Sequence, residues 1–152
     1  MAEINHDFLL LSKAEQPYGD YLQWLNHPTA IQVPDDLLAY LSDTLKWVVC
    51  YNPGNKMTKH IGLNWYGPSV IKQDGAMLLK QIFENWASLF ANSPDSLHLT
   101  GNFRWNDGQT NGQYERLVFN RDDSIKTFRT LAGYAKQVAN SQDDLYILHL
   151  GL

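Results

Sequence analysis

A helical stripe places the strongest constraint on what this chain can fold into. Between Gly75 and Asn92 the apolar residues Leu78, Leu79, Ile82, Phe83, Trp86, Leu89 and Phe90 recur at three- and four-residue spacing. That spacing lines them along one side of a helix, which then needs an apolar surface to cover it. Asp74 is expected to cap this helix, Lys80 and Glu84 to pair on its solvated side, and Ser93-Pro94-Asp95 to end it. A second stripe of Ile125, Phe128, Leu131, Ala132, Ala135 and Val138 predicts another long helix over about 124–140, capped by Asp122-Asp123.

What covers the stripes is read from the segments around them. His6 to Ser12 predicts a short strand, and Leu145 to Leu150 is an unbroken apolar run that suits a central strand. Leu45 to Tyr51 and Lys59 to Tyr66 flank the turn Pro53-Gly54-Asn55 and predict a hairpin, with Val70-Ile71 as a brief further strand. Leu97 to Arg104 alternates: odd positions are apolar or small and even positions polar, so His98 and Arg104 are expected on one face. Tyr114 to Asn120 follows, with Tyr114, Arg116 and Val118 alternating against Glu115, Leu117 and Phe119. Between these strands the polar loop Trp105 to Gln113 contains Asp107-Gly108 and Asn111-Gly112, both hairpin-turn signals. Gln16 to His27 has partly helical spacing ended by Pro28, and Pro34-Asp35-Asp36 opens a short helix through Leu37, Leu38 and Leu41. Hairpins joined by helices predict an α+β fold, with a mainly antiparallel sheet of about five or six strands and both long helices on one face. Residues 1–152 are expected to form one domain.

Composition narrows the function classes. The net charge is −4, and the twelve Lys and Arg are scattered, so no basic track for a phosphate backbone exists. Nucleic acid is therefore not the expected partner. No stretch has the length and apolarity of a membrane span, and the N-terminal segment lacks the pattern of a secretory signal, so a cytoplasmic location is expected. Cys50 is the single cysteine and stands in an apolar run, where it is expected to act as a small buried hydrophobe.

Specific chemistries have little to attach to. His60, His98 and His149 fall in predicted strands, but none shows ligand spacing such as HxH or HExxH. No GxSxG elbow, GxGxxG or P-loop pattern is present, so no catalytic residue and no cofactor is expected. Two surfaces remain. If the helices cover one side of the sheet, the other side would expose His60, Asn64, His98, Arg104, Tyr114 and Arg116, a polar yet aromatic face. The loop beginning at Trp105 offers an aromatic anchor among adaptable polar groups, with Arg104, Asp107, Glu115, Asp122 and Asp123 nearby. The acidic pairs also have local roles at helix starts.

Ile61-Gly62-Leu63-Asn64-Trp65-Tyr66-Gly67, the stretch Leu79 to Trp86, and Pro94 to Gly101 with its Leu-His-Leu-Thr-Gly sit within this small acidic frame. Together they resemble bacterial immunity proteins that neutralise polymorphic or contact-dependent growth inhibition toxins. The resemblance covers about the middle third of the chain and its layout. It implies stoichiometric, non-enzymatic binding of a toxin's C-terminal domain in the cytoplasm and no catalytic residue; the chain itself is expected to be a monomer or weak dimer. A basic toxin domain would associate faster with a protein of net charge −4. Two other readings stay open: a small enzyme or ligand-binding domain with a His/Arg/Tyr pocket on the open face, and a scaffold or self-associating domain.

Overall fold

The computed structural model describes residues 4–18 and 21–152. It is α+β. Eight strands are present among the described residues: β1 (Asn5–Ser12), β2 (Ile31–Pro34), β3 (Val49–Asn52), β4 (Thr58–Ile61), β5 (Pro68–Ile71), β6 (Ser96–Trp105), β7 (Gly112–Asn120) and β8 (Leu145–Leu150). The helices are α1 (Asp35–Tyr40), α2 (Ser42–Leu45), α3 (Gln73–Phe90) and α4 (Arg121–Ala139). Six strands form one sheet in the order β2-β1-β8-β5-β3-β4, and every neighbouring pair is antiparallel. β8 is central, as its continuous apolar run requires, because both of its faces are covered.

The long helices pack on each other and on one face of this sheet. Phe83 and Phe90 of α3 meet Phe128 of α4 at ring-centroid distances of 5.5 and 5.8 Å, and the same core takes in Phe8, Ile71 and Ile147 from the strands. The two amphipathic stripes therefore bury against one another and against the sheet together. Among the described residues, no helix is long and apolar enough to cross a membrane.

Several local expectations are corrected. Leu45 ends the short helix α2 rather than opening a strand, and pairing begins only at Val49. The strand expected over Lys59 to Tyr66 stops at Ile61, before Gly62 with its φ of 95°. Asp74 does not cap α3: it lies in the first turn and accepts a hydrogen bond from the Tyr51 hydroxyl at 2.6 Å. Asn120, not Asp122-Asp123, caps α4, its Oδ1 accepting from the Asp123 N–H at 2.9 Å. The helical reading of Gln16 to His27 reduces to a 3-10 turn at Tyr21–Trp24, and its Gly19-Asp20 portion lies outside the described residues.

Two departures matter for function. The hairpin β6–β7 does not join the main sheet but forms a separate two-stranded ribbon. The sheet face opposite the helices is not bare, because Tyr21, Trp24 and Ala30 pack over Leu9, Leu11, Tyr146 and Leu148 there. An open face spanning both hairpins is thus not formed.

Candidate functional site

The ribbon is anchored at its base by Arg121, the first residue of α4. Its guanidinium pairs with Asp95 at 3.0 Å and Asp122 at 2.9 Å and donates to the Ser93 carbonyl at 2.9 Å. One side chain thus ties the end of α3 to the start of α4, with the ribbon leaving from Ser96 and returning at Asn120. Near this base the inward face buries Leu97 and Leu117, with Leu99 and Phe119 packed beside them. Beyond them the strands leave the core, and residues 102–114 are exposed throughout.

A bulge sets which side chains face outward. The register runs from Ser96↔Asn120 to Thr100↔Arg116 and resumes at Phe103↔Tyr114, so Gly101 and Asn102 together oppose Glu115. The extra residue shifts the alternation of β6 by one. Phe103 and Trp105, which an unbroken strand would place with Leu97 and Leu99, instead join His98, Thr100, Tyr114, Arg116 and Val118 on the outward face. Phe103 meets Trp105 edge-to-face at 5.1 Å and Tyr114 at 5.2 Å, a favoured aromatic geometry. Gly112 makes this row possible: it lies opposite Trp105, and a Cβ there would run into the Arg104 carbonyl and the Phe103 ring.

The result is a solvent-facing apolar row. Trp105 is 63% exposed, Tyr114 60%, Val118 55% and Phe103 42%. Side chains of this size that meet one another yet stay in water mark interaction surfaces on folded proteins.

The residues singled out from the sequence divide accordingly. Trp105 belongs to the row, but as the last residue of β6 rather than part of the loop, which shrinks to residues 106–111. Arg104 is corrected to the reverse face, where it forms an ion pair with Glu115. Glu115 is likewise half-buried on the reverse face and is removed from the aromatic side. Asp107 is exposed in the turn, while Asp122 and Asp123 lie at the ribbon's base in the first turn of α4. Of the proposed open face, His98, Tyr114 and Arg116 do share the outward side of the ribbon. His60 stands on the edge strand β4 opposite Cys50, and Asn64 lies in the loop after it, its N–H donating to Ser69 Oγ at 2.7 Å. His60 therefore belongs to the main sheet and Asn64 to the loop beside it, and neither shares the outward face of the ribbon.

Phe103 was missed because simple alternation assigns it to the core. The available signal was Gly101-Asn102, two residues that weaken a strand and suit a bulge.

The histidines are arranged differently from any grouping suggested by their strands. His6 Nδ1 lies 2.9 Å from His149 Nε2, and His6 Nε2 lies 2.8 Å from Asp35 Oδ1, which also accepts from Trp65 Nε1 at 3.0 Å. The carboxylate makes His6 Nε2 the donor, so a neutral His6 accepts at Nδ1 from the His149 Nε2–H. His149 Nδ1 is then left as a buried lone pair with no partner. Burial is the main force lowering the His149 pKa, to about 3, with the neighbouring His6 adding to it. These nitrogens point at one another in line instead of converging on a point. Among the described residues, no group of three or more His, Cys, Asp or Glu is placed to hold a metal ion. Cys50 is fully buried, and burial pushes its thiol up to about 12.

Comparison with protein-family models, curated proteins and solved structures finds no match. The functional reading therefore rests on geometry and charge. Residues 96–120 are themselves neutral, since Arg104 and Arg116 balance Asp107 and Glu115. The net charge of −4 is carried by the rest of the molecule.

Proposed function

We propose that this chain is a non-enzymatic protein-binding module that docks its partner on the outward face of the β6–β7 ribbon, and that the partner is the basic toxin domain it neutralises as an immunity protein. The observation that supports docking is the exposed row Phe103, Trp105 and Tyr114, joined edge-to-face on a ribbon tied at its base by Arg121. Large aromatics presented in a fixed arrangement lose little freedom on binding and supply most of an interface's energy. The identity of the partner is supported by the sequence resemblance and by the net charge of −4. That charge speeds encounter with a basic surface, while the neutral ribbon makes the contact.

The test uses the protein encoded immediately upstream, purified and titrated against this chain at two salt concentrations. Binding is expected to slow in association as salt rises. Trp105→Ala should weaken the complex by about 2 kcal/mol or more without changing the melting curve. If the neighbour does not bind, the toxin-inhibitor identity fails. If it binds equally well to Trp105→Ala and Phe103→Ala, the ribbon is not the docking surface.

A further inference from the structure

We infer that the cleft between β3, β5, β8 and the segment following β1 is a binding site for a small zwitterion with an apolar side chain, of the amino-acid or short-peptide class. This site is independent of the ribbon and of the toxin-inhibitor reading.

The cleft lies on the sheet face opposite the helices and encloses about 690 Å³, within the range of small-molecule sites. Its floor follows from strand register. Tyr51 is directly opposite Val70, and Val70 is opposite Leu148, so Tyr51, Val70 and Tyr146 project from the same side of the sheet. Met57 and Pro17 flank this apolar floor. Methionine adapts to ligands of varied outline, which suits an apolar side chain of unspecified shape.

The walls are held by polar contacts that are already satisfied. The Tyr51 hydroxyl donates to Asp74 at 2.6 Å, and Lys59 lies 3.4 Å from the same carboxylate oxygen. The Tyr146 hydroxyl donates to the Glu15 carbonyl. The Glu15 carboxylate accepts from the Ser12 N–H at 2.9 Å and lies 2.8 Å from His27 Nε2. None of these groups needs a ligand.

Three charged groups at the cleft are left over. Lys72 places its ammonium 4.3 Å from the centre of the Tyr51 ring and has no carboxylate partner among the described residues. Lys13 and Asp143 also border the cleft with no side-chain hydrogen bond or ion pair among the described residues. The ring contact holds the Lys72 charge at the wall, where a carboxylate would find a positioned partner. Asp143 supplies the opposite sign. A ligand with one charge would meet only one sign of this lining. A zwitterion answers both and lays its side chain on the Tyr51–Val70–Tyr146 floor.

The test compares L-phenylalanine with 3-phenylpropionate, which lacks the ammonium, and phenethylamine, which lacks the carboxylate. Binding is measured by calorimetry and by the shift of the ¹³C-labelled methyl of Met57. L-phenylalanine is expected to saturate and to move the Met57 signal but not that of Met77, an exposed methionine on α3. Each single-charge analogue should bind about tenfold more weakly, the loss of roughly one charge-assisted contact. Lys72→Met or Lys13→Met should erase the preference over phenethylamine, and Asp143→Asn the preference over 3-phenylpropionate. Absence of saturable binding, equal affinity for a single-charge analogue, a response at Met77 instead of Met57, or retention of all preferences in the three variants would overturn the assignment.

Discussion

Acidification from pH 7 to pH 5 should destabilise the fold through His149. This residue is fully buried on the central strand, and its pKa is lowered from 6.5 to about 3. A second proton would create a Nδ1–H donor at an atom that already has no partner. The folded state therefore resists the proton that the unfolded chain takes up below 6.5. The folded-state pKa is the depressed one, so stability is complete above 6.5 and is lost as pH falls toward 3. Through that window the slope approaches about 1.4 kcal/mol per pH unit, so about 2 kcal/mol is lost by pH 5. With a urea dependence of about 2 kcal/mol per molar, the denaturation midpoint should fall by about 1 M. Glu15, whose pKa is lowered chiefly by its backbone hydrogen bond at Ser12, loses its contribution only below 4.5, outside this range. Asp7, raised by burial, acts with the opposite sign, since the folded state takes its proton first. The variant His149→Leu isolates the effect. It should be less stable at pH 7, because His6 Nδ1 loses its partner, yet fall less steeply between pH 7 and 5. Parallel losses in the two proteins would refute the reasoning.

Phe128 is fully buried and packs between Phe83 and Phe90, so Phe128→Ala should cost about 3–5 kcal/mol in chemical denaturation; a loss under about 1 kcal/mol would place the buried face of α4 elsewhere. Tyr51 is pushed up to about 12 mainly by the hydrogen bond it donates to Asp74, so Asp74→Asn should return its phenol toward 10 in an ultraviolet titration followed against Tyr51→Phe, and an unchanged titration would show that the carboxylate is not the cause.

The parts of this fold legible in the sequence are those set by contacts near in sequence. The stripes of α3 and α4 declare themselves because each repeats one pattern over 18 or 19 residues. The Leu145 to Leu150 run is apolar apart from His149 and lacks the polar alternation of a strand with one solvent face, so its central place follows from its pattern. The rest depends on pairing between distant residues. His6 and His149 lie 143 residues apart, and no spacing rule links them until β1 and β8 become neighbours. Leu45 and Val48 look like strand residues because both are apolar, yet their burial comes from α2 and the loop after it, before any ladder begins. The ribbon shows how small the deciding signal can be. Leu97, Leu99, Gly101 and Phe103 form an alternating series by sequence, and nothing in β6 alone says that the series breaks. The break is settled across the strand gap. Phe103 needs the glycine at position 112 to leave room for its ring edge-to-face with Tyr114, and Arg104 needs the reverse face to reach Glu115. With the bulge, Phe103, Trp105 and Tyr114 form one row; without it, Phe103 and Trp105 would both turn to the inward side and Tyr114 would stand alone, and a single exposed aromatic is an ordinary surface feature that implies no partner.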